Sequence, residues 1–310
     1  MIGRRAFALG VAIAGCTRKD RAAEKPPQIQ DKPLPTMPEA GASLPRGEVG
    51  TELWTFGEDA RAVVVVPSWT KPEEKLPVLV TLHGRGEAAK GPVDGVMGWP
   101  RDYALLRAIQ RICAPPLTDT DYEGFSDPKR LADTNKELEA RPFKGIVVVC
   151  PYLPDVDLGK PGPIKDYGKY LLETVMGRVR KELPVLTAPA STGIDGVSLG
   201  GAVALRVGLG SPEAFGAVGT LQAAIRYDQV AEYTDLAKAA RTKNPALKLR
   251  LLTSKDDYFR DVIMKTSASW RAAGIEHEYV EVPGPHDYPF NRGPGAIEML
   301  HWHDRVLARS

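Results

Sequence analysis

The sequence predicts an α/β fold whose mostly parallel sheet is covered by helices on both faces. Two observations carry this. Short apolar, β-branched runs recur along the chain, as in "RAVVVVPSW" (61–69), "LPVLVTLHG" (76–84) and "GIVVVCPY" (145–152). They are continuous rather than alternating, which suits strands buried on both faces. Helix-like stretches fall between such runs, and alternation of this kind favours parallel pairing.

Taken in order, the strands near 52–66 form an expected antiparallel edge. The run 76–84 follows, then "DYALLRAIQRI" as a helix and 145–152 as a strand. "DYGKYLLETVMGRVRKEL" reads as a helix and "TGIDG" as a short strand. "GGAVALRVGLG" is the next helix. "GAVGTLQ" (216–222), "LKLRLLTS" (247–254) and "HEYVEVPG" (277–284) complete the strands, with "DVIMKTSASWRAAG" and "GAIEMLHWHDRVLA" as late helices. Residues 85–144 show only one clear helix, amid Pro- and Gly-containing stretches. Such an excursion reads as a functional loop or lid. Its Trp99, Tyr103, Tyr122 and Phe125 either line a pocket or pack the segment down.

The N-terminus has a different character. "MIGRRAFALGVAIAGC" places Arg4 and Arg5 before a short apolar run and small residues, a secretory signal layout. Ile13-Ala14-Gly15-Cys16 resembles the bacterial lipobox, and Arg4-Arg5-Ala6-Phe7 a loose twin-arginine signal. Residues 1–16 are therefore expected to be a lipoprotein signal with Cys16 as the lipidation site. That would make the protein exported and anchored to the bacterial envelope, at the outer membrane or in the periplasm. Thr17 after the Cys resembles lipoproteins sent to the outer membrane. Residues 17–50 are Pro-rich and polar and read as a disordered tether. The folded domain is expected over 51–310.

The 310 residues carry 41 basic and 39 acidic side chains, a net charge of +2. That balance gives no support for nucleic-acid binding. There is no solenoid or propeller repeat, and no apolar run long enough to span a bilayer. Cys113 and Cys150 are either a disulfide, as suits an exported protein, or two free thiols.

Chemistry concentrates in "GIDGVSLGGAVAL" (193–205). G-x-S-x-G alone is weak, but here a strand precedes it and a helix follows. That setting is the nucleophile elbow, with Ser198 at the apex of a strained turn. Side chains two positions away would clash, which explains Gly196 and Gly200. The following helix presents free N–H groups to a developing negative charge. A hydroxyl needs a base, and the base an orienting acid. His286, in the Gly/Pro loop "VPGPHDYPF" after the last strand, is the candidate base. His277 opens a strand. His301 and His303 lie two apart in a helix, on different faces, which also argues against a metal pair. The acid is Asp257 or Asp256, both at the end of the preceding strand; Asp257 lies deeper in the loop. Asp287 reads as structural. The expected oxyanion donors are the backbone N–H of Leu199 and, from "LVTLHGRGE" (79–87), that of Arg85, with Gly84 next. His83 reads as a structural loop residue.

On "LHGRGE", "GIDGVSLGGAVALRVGLGSPEAFGAVG" and "VPGPHDYPFNRG", the sequence over about 51–310 resembles the α/β-hydrolase superfamily. It is nearest the group that includes esterase D, feruloyl esterase and enterochelin-esterase-like proteins. Ser211-Pro212-Glu213-Ala214-Phe215 looks like that group's segment after the elbow. Two features depart: Leu221-Gln222-Ala223 stands where many relatives carry a Ser, and 85–144 is enlarged. The resemblance implies a serine hydrolase of carboxylic esters, acting on a small-molecule ester through a Ser-His-Asp triad and a covalent acyl-enzyme. It implies no metal and no organic cofactor. Peptidase or acyltransferase chemistry on the same site, or a non-catalytic envelope binding protein, are the alternatives.

Overall fold

The computed structural model describes residues 46–71 and 73–309. The expected signal segment 1–16 with Cys16, and the expected tether as far as residue 45, lie outside the described residues. Eight strands form one sheet in the order β1-β2-β4-β3-β5-β6-β7-β8. They are β1 (Val49–Thr55), β2 (Arg61–Pro67), β3 (Val78–Leu82), β4 (Val147–Pro151), β5 (Thr192–Gly196), β6 (Ala217–Leu221), β7 (Lys248–Asp256) and β8 (Glu278–Pro285). β2 runs antiparallel to both β1 and β4, and all pairs from β4 through β8 are parallel. The antiparallel edge is where the sequence placed it. β1 starts at Val49, two residues before the boundary read from composition.

The apolar runs are continuous because alternate residues of one strand enter two different layers. Val78 and Val80 pack on one face of β3 and Leu79 on the other; Val147 and Val149 likewise oppose Val148 and Cys150 in β4. One layer is closed by the helical stretch 161–182 and the helices Leu199–Gly210, Val230–Lys243 and Arg260–Ala272. The other is closed chiefly by Leu105–Cys113 and Ala296–Val306. Trp54, Trp270 and Phe215 fill the first layer; Trp99, Phe143 and Phe290 fill the second.

The excursion 85–144 is more ordered than its sequence suggests. Besides Leu105–Cys113 it holds a second long helix, Pro128–Ala140, and short helical turns at Arg85–Ala88 and Gly91–Gly95. The helix Pro128–Ala140 buries only Thr134 and Leu138, so it leaves almost no hydrophobic period to read. Its start is nonetheless marked: Asp127 accepts the Arg130 N–H at 2.9 Å and Pro128 takes the first turn. Trp99, Tyr103 and Tyr122 are buried, so these aromatics pack the excursion onto the sheet.

Cys113 and Cys150 are not bonded to each other, which corrects the disulfide considered from sequence. Cys150 Sγ instead lies 3.2 Å from the Thr81 hydroxyl inside the sheet. Burial pushes both thiols up to about 12, so neither is a reactive thiolate near neutral pH.

Candidate active site

Parallel strands deliver their C-terminal ends to one edge of the sheet, where open α/β folds place ligands. β3 and β5 are neighbours, and so are β7 and β8. The loops carrying Arg85, Ser198, Asp257 and His286 therefore emerge on the same side.

Ser198 follows β5 with φ 57 and ψ −116, a strained conformation for a residue with a Cβ. The turn is clamped from three sides. Ser198 N–H donates to the Leu221 carbonyl at 3.0 Å. Its own carbonyl accepts from Ala202 N–H at 3.1 Å and Ala224 N–H at 2.9 Å. A Cβ on Gly200 would stand 2.3 Å from the Leu82 carbonyl oxygen, so only glycine lets the helix Leu199–Gly210 approach β3 this closely. Ser198 is half-buried, and its hydroxyl makes no hydrogen bond among the described residues.

The structure brings Asp257, and not Asp256, to His286. Asp257 Oδ1 lies 2.7 Å from His286 Nδ1. The same oxygen accepts the Phe259 N–H at 2.9 Å, and Oδ2 accepts the Thr253 hydroxyl at 2.7 Å. The carboxylate is wholly buried, while His286 keeps 10% of its side chain exposed. Asp256 is exposed, just after a register shift in the β7–β8 pairing, where it stands opposite Pro285. Tyr258 and Phe259 hold the imidazole in place, with ring centroids 4.2 and 5.4 Å away.

The two N–H groups expected to face a developing oxyanion are both open. Neither Leu199 N–H nor Arg85 N–H has a partner among the described residues. Gly84 N–H is not open: it donates to the Tyr103 hydroxyl at 3.1 Å. The Arg85 side chain turns to the surface and pairs with Asp155 at 2.8 Å.

Two residues without a sequence-based assignment tie the site together. Gln222 is fully buried at φ 48, just after the Leu221 carbonyl that anchors Ser198. Its Nε2 donates to Ser254 Oγ at 2.6 Å and to the Pro285 carbonyl, beside His286, at 2.9 Å. Its position was visible in the sequence only as a departure from the esterase pattern. Glu87, the last letter of "LHGRGE", is buried under the Arg85 turn.

Of the other histidines, His83, His277 and His303 are hydrogen-bonded, whereas His301 Nε2 is not. Buried His83 accepts Leu153 N–H at Nε2 and donates to the Gly84 carbonyl from Nδ1, each at 3.0 Å. His277 bonds Ser267 at 2.7 Å, and His301 lies 3.3 Å from Glu137. His303 Nε2 lies 3.0 Å from buried Asp195. No cluster of three or more metal-ligating side chains occurs among the described residues.

Burial lowers His83 and His303 below the ordinary imidazole value of about 6.5. The unfolded chain therefore takes up protons at these sites first. Their contribution to stability is complete above about pH 6.5 and is lost below it, by up to roughly 1.4 kcal/mol per pH unit for each site. The urea midpoint is expected to fall between about pH 7.5 and about pH 5.5. A flat or rising midpoint would show that these histidines are not held neutral.

No family model matches the sequence, and no curated protein does. Solved structures do match in shape. An S-formylglutathione hydrolase (FrmB) from Staphylococcus aureus is 15% identical with a TM-score of 0.59, over 85% of this chain and 100% of its own. A ferulic acid esterase is 16% identical with a TM-score of 0.60, over 84% and 98%. The enterobactin esterase FES from Shigella flexneri is 17% identical with a TM-score of 0.56, over 86% of this chain and 61% of its own. At such identities the likeness concerns architecture. The eight-stranded sheet, its helical layers and these neighbours together establish that the chain has the α/β-hydrolase fold.

Proposed function

We propose that the chain is a serine hydrolase of carboxylic esters, with Ser198 as nucleophile, His286 as base and Asp257 as acid. The observation that carries this reading is the buried Asp257–His286 pair on the same sheet edge as the strained Ser198 turn. The esterases of similar shape support it.

In this reading His286 Nε2 takes the Ser198 proton as Oγ attacks the ester carbonyl. Asp257, bonded to Nδ1–H, fixes the tautomer that leaves Nε2 free and stabilises the imidazolium. Leu199 N–H and Arg85 N–H bind the oxyanion. Collapse of the intermediate breaks the ester C–O bond, and His286 returns the proton to the leaving alcohol. Water, deprotonated by His286, then attacks the acyl-Ser198, releasing the acid and restoring the hydroxyl. The sequence pattern at Cys16 extends the proposal to a lipid-anchored enzyme of the envelope.

A fluorophosphonate probe is expected to label Ser198 in the native protein and not after heat denaturation, with the modified peptide located by mass spectrometry. In fractionated cells the labelled protein should sediment with membranes and become soluble on Cys16→Ser. A folded protein that stays unlabelled at Ser198 contradicts the catalytic reading. Soluble wild-type protein contradicts the anchor alone.

A further inference from the structure

We infer that Glu87 is a positioning residue that locks the oxyanion loop to the base loop through Tyr103 and Tyr288. This rests on the esterase reading for its kinetic meaning, but the coupling of the two loops can be measured without turnover.

Glu87 has 2% of its side chain exposed. A buried carboxylate costs several kcal/mol unless it is well paired, and here its partners come from distant parts of the chain. The Tyr103 hydroxyl, from the excursion, donates to Oε2. The Tyr288 hydroxyl, two residues beyond His286, donates to Oε1 at 2.5 Å. Lys90 Nζ lies 3.4 Å from Oε1 and 2.8 Å from Asp102. The cradle is shaped to the side chain: a Cβ on Gly98 would stand 2.7 Å from Glu87 Cγ.

The direction of the hydrogen bonds gives this cluster its significance. Tyr103 spends its proton on Glu87, so its oxygen is an acceptor toward Gly84 N–H at 3.1 Å. That holds the Gly84 N–H away from any substrate, whereas the Arg85 N–H has no partner among the described residues. Burial, reinforced by Glu87, raises both phenols, so both remain donors at neutral pH. The cluster is close to the chemistry. A point one Cβ bond from Gly84 is 3.1 Å from the Tyr103 oxygen, 3.6 Å from Glu87 Oε2 and 3.8 Å from Ser198 Cβ. A second tie links the same segments, as Arg292 Nε donates to the Asp102 carbonyl at 2.9 Å. One carboxylate thus sets the plane of the Gly84 peptide and the seat of the loop that carries His286.

The test compares full-length wild type with Glu87→Ala, Glu87→Gln and Tyr288→Phe. Hydrogen exchange is followed over residues 83–88 and 284–292, with hydrolysis of p-nitrophenyl acetate measured in parallel. Glu87→Ala is expected to speed exchange in both segments. It should lower kcat about 10- to 100-fold with little change in KM, because displaced donors weaken the transition state more than the ground state. Glu87→Gln, which keeps one acceptor, should recover part of the loss. Tyr288→Phe removes only a half-buried hydroxyl, so it tests the link should Glu87→Ala fail to fold; exchange should rise at 83–88, across the contact. Faster exchange confined to the segment carrying each substitution would overturn the inference, as would an unchanged kcat in Glu87→Ala. If wild type hydrolyses nothing, the esterase reading falls and the exchange data alone decide the coupling.

Discussion

Ser198→Ala is expected to lower kcat for ester hydrolysis by about 10^4- to 10^6-fold, the range seen when a triad nucleophile is removed. The melting temperature should move by only a few degrees. The structure explains why the two effects separate. The Ser198 hydroxyl has no hydrogen-bond partner among the described residues, so its removal strands no buried donor or acceptor. The turn is held by backbone bonds to Leu221, Ala202 and Ala224, which alanine retains. Alanine keeps the Cβ and therefore the strain at φ 57. Ser198→Gly relieves that strain and should be more stable than Ser198→Ala by about 1 kcal/mol, while equally inactive. Activity persisting in both variants would remove Ser198 from the chemistry. Simultaneous loss of activity and folding in Ser198→Gly would mean that the turn is not the strained element described.

Parts of this site were legible in the sequence because a physical constraint acts on neighbouring residues. The elbow is one. Gly196, Ser198 and Gly200 sit in one turn, and a Cβ on Gly196 would stand 2.5 Å from the Gly200 carbonyl, so that clash lies within the turn itself. The strands are another, since burial on both faces forces unbroken apolar runs such as Val147–Val149. What was not legible depends on partners distant in the chain. Nothing near Glu87 announces that a carboxylate will be buried; its donors lie at Tyr103 and Tyr288. Gln222 acquires its role from Ser254 and Pro285. The helix Pro128–Ala140 shows the complementary failure. It lies on the protein with almost no apolar stripe and is held partly by the Arg130–Glu298 ion pair. The choice between Asp256 and Asp257 also needed three dimensions, because a register shift at the end of β7 decides which carboxylate turns inward.

That choice gives the second large effect. Asp257→Ala is expected to lower kcat by about 10^4-fold, as loss of the orienting acid does in comparable triads. Asp256→Asn should leave kcat within about threefold, since the imidazole meets Asp257 instead and an exposed carboxylate contributes little. Asp257→Asn is the more informative variant. In a triad where the amide turns its NH2 toward the histidine, the imidazole adopts the wrong tautomer and kcat falls by about 10^4-fold. Here the Phe259 N–H donates to Oδ1, the same oxygen that meets His286, whereas Oδ2 meets the Thr253 hydroxyl. An asparagine is therefore driven to keep its carbonyl at Oδ1 and to place its NH2 against Thr253, whose oxygen can accept. The productive tautomer survives and only the negative charge is lost. A charge beside a base shifts its proton affinity by about 1–3 pH units, so the expected fall is about 10- to 10^3-fold, milder than Asp257→Ala. The double variant Asp257→Asn with Thr253→Val removes the acceptor for the amide and should bring kcat down toward the alanine level. Equal losses in Asp257→Asn and Asp257→Ala would show that the Phe259 N–H does not set the orientation. A large loss in Asp256→Asn would show that the acid has been misassigned.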